Sequence, residues 1–268
     1  TAFVPFGQTQ SLAARTSVVD HALWLIQEYG FDGFRADALK HMDDSFVRAL
    51  KSAVVSEVET TVEDHTQSDE ASIFYMVGES LGGWARYHTR ADMVQGQVDE
   101  VYYQRTKGAL LTYQESVRSL AEFAVYNDRA YLKEEDVVVW NGVQNQSVGR
   151  GGYAGAVMGN FFGNHDQVRA LTEAGGRHER LELAQTFLLT SPGNVPMLYQ
   201  GDDIGTLGGP DPDNRRMHRF ANLGAAEQHA LAHVQKLGKL REAHPALRRG
   251  LRTTRVLEDW YWVYEVTY

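Results

Sequence analysis

Short apolar runs alternate with longer helical patterns along this chain, and each run closes on polar residues. That alternation limits what it can fold into. The first run is Gly33-Phe34-Arg35-Ala36, entered by a turn at Asp32-Gly33 and closing on Asp37. The second spans Ile73 to Val77 and closes on Gly78-Glu79, and a third, Val157 to Phe162, ends at Gly163-Asn164-His165-Asp166. Val195–Tyr199 reads as another strand, and Val101-Tyr102-Tyr103 as one more. Short, β-rich and unalternating runs suit buried parallel strands.

Between the runs, apolar residues recur at helical spacing. After sixteen irregular residues, Ser17 and Asp20 stand at capping-box spacing before Val19, Ala22, Leu23 and Ile26, a helix that stops at Gly30. Asp43-Asp44 opens a second helix with Phe46, Leu50, Ala53 and Val54 on one face, its acids suited to the positive end of the helix dipole. Further helical patterns run from Lys107 to Asn127, over Leu181–Leu189, and over 226–242, where Leu231, Val234, Leu237 and Leu240 are in register. The acidic stretch Glu57 to Glu70, the Gly/Asn/Gln-rich 141–152 and the Gly/Asp/Pro-rich 201–215 read as loops. Beyond Pro245 the pattern changes to short β-like runs holding Val256, Trp260, Trp262 and Tyr264. Strand–helix alternation with polar strand ends is the pattern of a parallel α/β barrel, whose sites gather at the carboxyl ends of the strands.

Composition narrows the partners. The net charge is −9, so the chain lacks the basic footprint that a phosphate backbone requires, and nucleic acid is not expected as a partner. No apolar run reaches the roughly 20 residues of a membrane span, so no membrane partner is expected either. With no cysteine, disulfides and thiolate metal sites are excluded while the compartment stays open. His229 and His233 stand at helical spacing without a glutamate between them, and a surface helix accounts for them better than a zinc site.

Three carboxylates, Asp37, Glu79 and Asp166, end three different predicted strands, and a barrel would gather such ends around one mouth. Singly, each has an ordinary reading as a cap, a turn former or an exposed acid. Their flanks are more specific. Gly33-Phe34-Arg35-Ala36-Asp37-Ala38-Leu39-Lys40-His41 resembles the fourth-strand motif of the α-amylase family, glycoside hydrolase family 13. Val77-Gly78-Glu79 resembles its fifth-strand motif and Phe162-Gly163-Asn164-His165-Asp166 its seventh. Pro196-Met197-Leu198-Tyr199-Gln200-Gly201-Asp202 resembles the eighth-strand segment, and Asp211-Pro212-Asp213-Asn214-Arg215 the substrate loop after it. Order and separation fit as well, the carboxylates standing 42 and then 87 residues apart.

The resemblance implies an α/β fold: part of a (β/α)8 TIM barrel, about strands 4–8, over residues 1–246, then the start of a C-terminal β-sandwich domain over 247–268. It implies a retaining glycosidase acting on starch-like α-1,4-glucans. Asp37 would be the nucleophile and Glu79 the general acid and then base, while Asp166 would hold sugar hydroxyls. Such chemistry needs Asp37 charged while Glu79 keeps its proton until the bond breaks. Arg35, two residues before Asp37 and so on the same side of a strand, would favour the charged form. His165 would donate to a hydroxyl, Lys40 and His41 would line the leaving-group side, and Asp211 and Arg215 would hold a sugar farther along. Trp84 and Tyr87 are candidate stacking residues, with core packing the competing reading.

The resemblance also implies a possible calcium ion with the His41 carbonyl as one ligand, the ligand set being incomplete in this chain. The first family motif and the first three strands are missing, so the chain is expected to be part of a longer, secreted or periplasmic enzyme and weakly active or inactive alone. Gly201-Asp202-Asp203 also stands where the family usually has Gly-Asp-Glu, a small change read as structural. A transglycosylase of the same family is the first alternative and a non-catalytic binding subunit the second; oligomeric state is left open.

Overall fold

A computed structural model describes residues 9–59, 74–80, 93–94, 96–98, 100–132 and 158–268. These fall into two compact units, one ending at Val98 and the other beginning at Asp99. The loop readings at 141–152 and most of 57–70, together with Trp84, Tyr87 and Val157, lie outside the described residues.

The first unit holds α1 (Thr9–Tyr29), β1 (Gly33–Ala36), α2 (Asp44–Val54), β2 (Tyr75–Gly78) and β3 (Gly96–Gln97). The strands lie in the order β1-β2-β3 and are parallel. α1 begins earlier than the sequence suggests. Ser17 and Asp20 lie inside it rather than at its start, because nothing between Gly7 and Gly30 breaks a helix. Gly30 does end it, in the left-handed region at φ 67°, its N–H on the Ile26 carbonyl at 2.8 Å.

α2 starts where its acidic pair places it. The Asp43 side chain accepts the Ser45 N–H at 2.8 Å, and the hydrogen bonds from Ser45 hold its carboxyl below the ordinary range. Ile26 of α1, Val47 and Val54 of α2, and Met76 of β2 then bury one core with Leu39 and Phe74. This packing supports a sheet whose strands are only two to four residues long.

The second unit runs α3 (Glu100–Thr106), α4 (Val117–Leu132), β4 (Gly159–Asn160), α5 (Ala170–Glu173), α6 (His178–Thr190), β5 (Val195–Pro196), α7 (Ala225–Ala243), α8 (Ala246–Arg249), β6 (Leu251–Leu257) and β7 (Trp262–Thr267). Val101-Tyr102-Tyr103 is helical, not a strand, and the strand beside β2 is Gly96–Gln97. Three β-prone residues are too few to show a period, and burial of Tyr102 and Tyr103 on one helix face decides. The helix expected from Lys107 to Asn127 is broken. A wide turn at Lys107–Leu111 ends before Tyr113, which takes φ 56°, and α4 starts afresh at Val117.

β4 and β5 pair in parallel. β5 is shorter than the expected Val195–Tyr199, since Pro196 has no N–H to give the ladder, although the Met197 N–H still reaches the Asn160 carbonyl at 2.8 Å. The core gathers Tyr102, Leu120, Phe162, Leu181 and Phe187, with Tyr102 stacked on Phe187.

After Pro245, β6 and β7 form an antiparallel hairpin whose Trp262 packs on Phe187. The end of α6 is tied down by buried Arg241, which donates to the carbonyls of Leu189, Ser191, Asn194 and Leu247. A cation suits the negative end of a helix. Among the described residues no helix is long and apolar enough to cross a membrane.

Candidate active site

In the first unit the parallel register does the positioning. Ala36 pairs with Gly78, so Asp37 and Glu79 each stand one residue beyond the last pair, at neighbouring strand ends. The ladder continues past the strands: the Glu79 N–H donates to the Ala36 carbonyl at 2.8 Å, and the Leu39 N–H to the Glu79 carbonyl at 2.7 Å. Ala38, between them, takes the left-handed conformation (φ 47°, ψ 41°), which costs a residue with a Cβ about 1–2 kcal/mol. That turn aims the Ala38 N–H at Glu79 Oε2, 3.1 Å away. Arg35 sits on Asp37, Nη1 to Oδ1 at 2.5 Å, and the Asp37 side chain remains 72% exposed. Lys40 and His41 share the single helical turn Leu39–His41, whose Leu39 is wholly buried.

Gly78 is required by the same turn. A Cβ there would collide with the Leu39 side chain. Gly78→Ala is expected to destabilise the fold by about 1–3 kcal/mol, as overpacking does. Thermal unfolding measures it, and trimming Leu39 to Ala in the same chain should recover part of the loss.

In the second unit, the Asn164 side chain accepts the Asp166 N–H at 2.9 Å, forming the turn that presents Asp166. His165 Nε2 lies 3.1 Å from Asp166 Oδ2, and Arg215 Nη2 lies 3.2 Å from Asp166 Oδ1. Arg215 Nε also reaches Asp211 Oδ1 at 2.7 Å. Four residues separated by up to 50 positions thus form one polar cluster, joined further by Arg215 Nε on the His165 carbonyl. Beneath it lies Arg169, only 1% exposed, 3.6 Å from Asp202 Oδ1. Its guanidinium donates to the carbonyls of Gln200 and Arg216 and lies over the Tyr199 ring at 4.1 Å. Burial pushes the Asp202 carboxyl up to about 7, against the pull of Arg169. Gly163 leaves the room for this pair, since a Cβ there would stand 2.5 Å from Asp202 Oδ2.

The family described as alpha amylase, catalytic domain, matches residues 8–218. The chain belongs to the α-amylase family. It is 27% identical over 252 residues to the beta/alpha-amylase of Paenibacillus polymyxa, covering 90% of this chain and 17% of that protein. It is 28% identical over 238 residues to a cyclomaltodextrinase of Geobacillus thermopakistaniensis, covering 87% of this chain and 34% of that one. Among solved structures it is similar to an α-amylase from Geobacillus thermoleovorans complexed with acarbose, at 28% identity and a TM-score of 0.75, covering 97% of this chain and 51% of that one. An Anoxybacillus α-amylase gives 26% identity and a TM-score of 0.74, with 97% and 50% covered. The chain therefore spans about half the length of these α-amylase structures, and less of the curated relatives.

Within this α-amylase-family chain, the expected site residues form two clusters, one in each unit. Arg35, Asp37 and Glu79 are brought together in the first, with Lys40 and His41 on the turn that follows. His165, Asp166, Asp211 and Arg215 are brought together in the second. The sequence alone assigned no role in the site to Ala38, Arg169, Asp202 or Asn214. Arg169 had a visible signal, a cation three residues after Asp166; Asn214 had none beyond its place in the loop motif. Among the described residues no group of three or more histidine, aspartate or glutamate side chains could hold a metal ion. His229 lies against Glu182 and His233 against Thr186, as surface-helix residues do.

Proposed function

We propose that this chain is the catalytic segment of a retaining glycoside hydrolase acting on α-1,4-glucans, with Asp37 as nucleophile and Glu79 as acid and base. The observation that carries the reading is the in-register pair of carboxylates at the ends of β1 and β2. The two have unlike surroundings, a guanidinium on Asp37 and a backbone N–H on Glu79. Two carboxyl groups with different roles are what glycoside cleavage asks for.

In this reading Asp37 attacks the anomeric carbon as Glu79 protonates the departing oxygen, and Glu79 then takes a proton from the incoming water. Asp166 accepts from sugar hydroxyls and His165 beside it donates to them, and Asp211 with Arg215 holds a sugar farther along. Residues 247–268 open a separate β domain. A similar protein, the Geobacillus thermoleovorans α-amylase, is complexed with acarbose, which supports a sugar-binding reading of the site.

The test is the action on maltoheptaose of the polypeptide that carries this chain. Proton NMR of the first products should show the α-anomer before mutarotation, as double displacement requires. First-formed β-anomer, or no cleavage, overturns the reading. A second reading, transfer to a sugar rather than to water, is favoured by 26% identity to a cyclomaltodextrin glucanotransferase of a Bacillus species. Products longer than maltoheptaose would select it.

A further inference from the structure

Asn214 is completely buried, and its amide nitrogen donates to two carbonyls, that of His165 at 2.8 Å and that of Gln167 at 2.9 Å. Those carbonyls flank Asp166 on either side. Both N–H bonds of the amide are thereby used, one on each flank. The opposite amide orientation would set Oδ1 against two carbonyl oxygens, so the geometry itself assigns the nitrogen. Asn214 Oδ1, meanwhile, is buried with no hydrogen-bond partner among the described residues. An orphaned buried oxygen costs stability, so this side chain is not explained by packing alone.

The next residue completes the arrangement. Arg215 donates Nε to the same His165 carbonyl at 3.2 Å, and Nη2 to Asp166 Oδ1 at 3.2 Å. Residues 214 and 215 thus hold both the backbone and the carboxylate of the 165–167 turn. Their own turn, Asp213–Arg215, is fixed in place: Asp213 Oδ2 accepts the Gly209 N–H at 2.6 Å, and its Oδ1 takes Arg216 Nε at 2.8 Å. These bonds hold the Asp213 carboxyl below its ordinary range.

We propose that Asn214 is a positioning residue that sets the orientation of the Asp166 carboxylate, making the loop that carries Asp211 and Arg215 a clamp on the turn that carries Asp166. The proposal rests on the reading of Asp166 as a sugar-holding carboxylate.

Asn214→Ala and Asn214→Asp, made in the polypeptide that carries this chain, test it. Misplacing a reacting group by an ångström costs about 10²-fold, so kcat on maltoheptaose should fall by about 10- to 100-fold, with KM moving less than about threefold. In Asn214→Asp the new carboxyl needs a proton before it can donate to either carbonyl. Its kcat, relative to the parent at the same pH, should therefore recover as pH falls from about 8 to about 6. The same ratio for Asn214→Ala should stay flat. A merely structural role would lower Tm in both variants and leave kcat unchanged below the transition. Folded variants whose kcat stays within about twofold of the parent overturn the proposal.

Amide hydrogen exchange keeps this outcome separate from failure of the functional reading. The Asp166 N–H, held on Asn164 Oδ1, should exchange at least about tenfold faster in Asn214→Ala while amides of α7 are unchanged. Unchanged exchange at 165–167 refutes the clamp. Faster exchange in Asn214→Ala, where the parent itself cleaves no glucan, upholds the clamp and refutes only the assigned chemistry.

Discussion

Replacing Glu79 with Gln in the polypeptide that carries this chain should lower kcat on maltoheptaose by about 10²–10⁴-fold, as loss of an acid–base group does, and Asp37 with Asn by up to about 10⁶-fold, as loss of a nucleophile does. Neither change should disturb the fold. A Gln at 79 keeps an oxygen for the Ala38 N–H, and an Asn at 37 keeps one for Arg35. What each loses is chemical: Gln carries no proton to give the leaving oxygen, and Asn has no charge with which to attack. The two losses separate on a maltosyl fluoride, whose leaving group needs no proton. There Glu79→Gln should regain its first step and stall at the second, seen as a burst of fluoride. Asp37→Asn should show no burst. If either variant, with an unchanged Tm, kept more than about a tenth of the parent's kcat, that residue would have no catalytic assignment.

The residues of this prediction were readable from the sequence because their chemistry and their spacing coincide. A parallel strand that ends in a carboxylate, with a cation two residues earlier, puts both groups on one side. The alternation of apolar runs fixed the strand ends at Asp37 and Glu79 to within a residue. The departures have local causes. α1 starts at Thr9 because neither Gly nor Pro interrupts the stretch between Gly7 and Gly30, so the helix extends past a plausible cap. Val101-Tyr102-Tyr103 is helical because three residues carry no period, and only tertiary burial of two aromatic rings shows which element they join.

The supports of the Asp166 cluster were hidden for a different reason. Arg169 and Asn214 act on backbone atoms brought close only by the fold, Arg169 on the Gln200 and Arg216 carbonyls and Asn214 on those of His165 and Gln167, while Asp202 faces the Arg169 guanidinium. A polar side chain bound to distant carbonyls looks, in a sequence, like any loop residue. Its burial is the distinguishing fact, and burial of a polar residue inside a Gly/Asp/Pro-rich loop is not patterned.

Arg169→Met should be the most destabilising of the substitutions considered, by about 3–5 kcal/mol at pH 8, the cost of stripping one partner from a buried pair. Both groups are at most 2% exposed, so water cannot replace the missing partner. The pH dependence carries the argument further. The Asp202 carboxyl, ordinarily near 3.8, is raised to about 7 chiefly by burial. A carboxyl raised on folding contributes stability that is fully present below its unfolded value and is lost as pH climbs through the folded one. In the parent, this group therefore costs stability progressively between about pH 4 and pH 7.

Without Arg169 the charged form is disfavoured still more, so the variant should lose stability more steeply with rising pH than the parent does. Its deficit should shrink toward pH 5, where the carboxyl takes up a proton. It should not vanish there, because the Gln200 and Arg216 carbonyls have lost their donor at every pH. Asp202→Asn should do the reverse: having no charge to acquire, it should gain on the parent as pH rises from about 5 to about 8. Urea unfolding of the three proteins at pH 5 and pH 8 measures all of this. A deficit in Arg169→Met that is the same at both pH values would mean that Asp202 titrates as an ordinary exposed acid, and that the pair beneath the Asp166 cluster is held by hydrogen bonds rather than by charge.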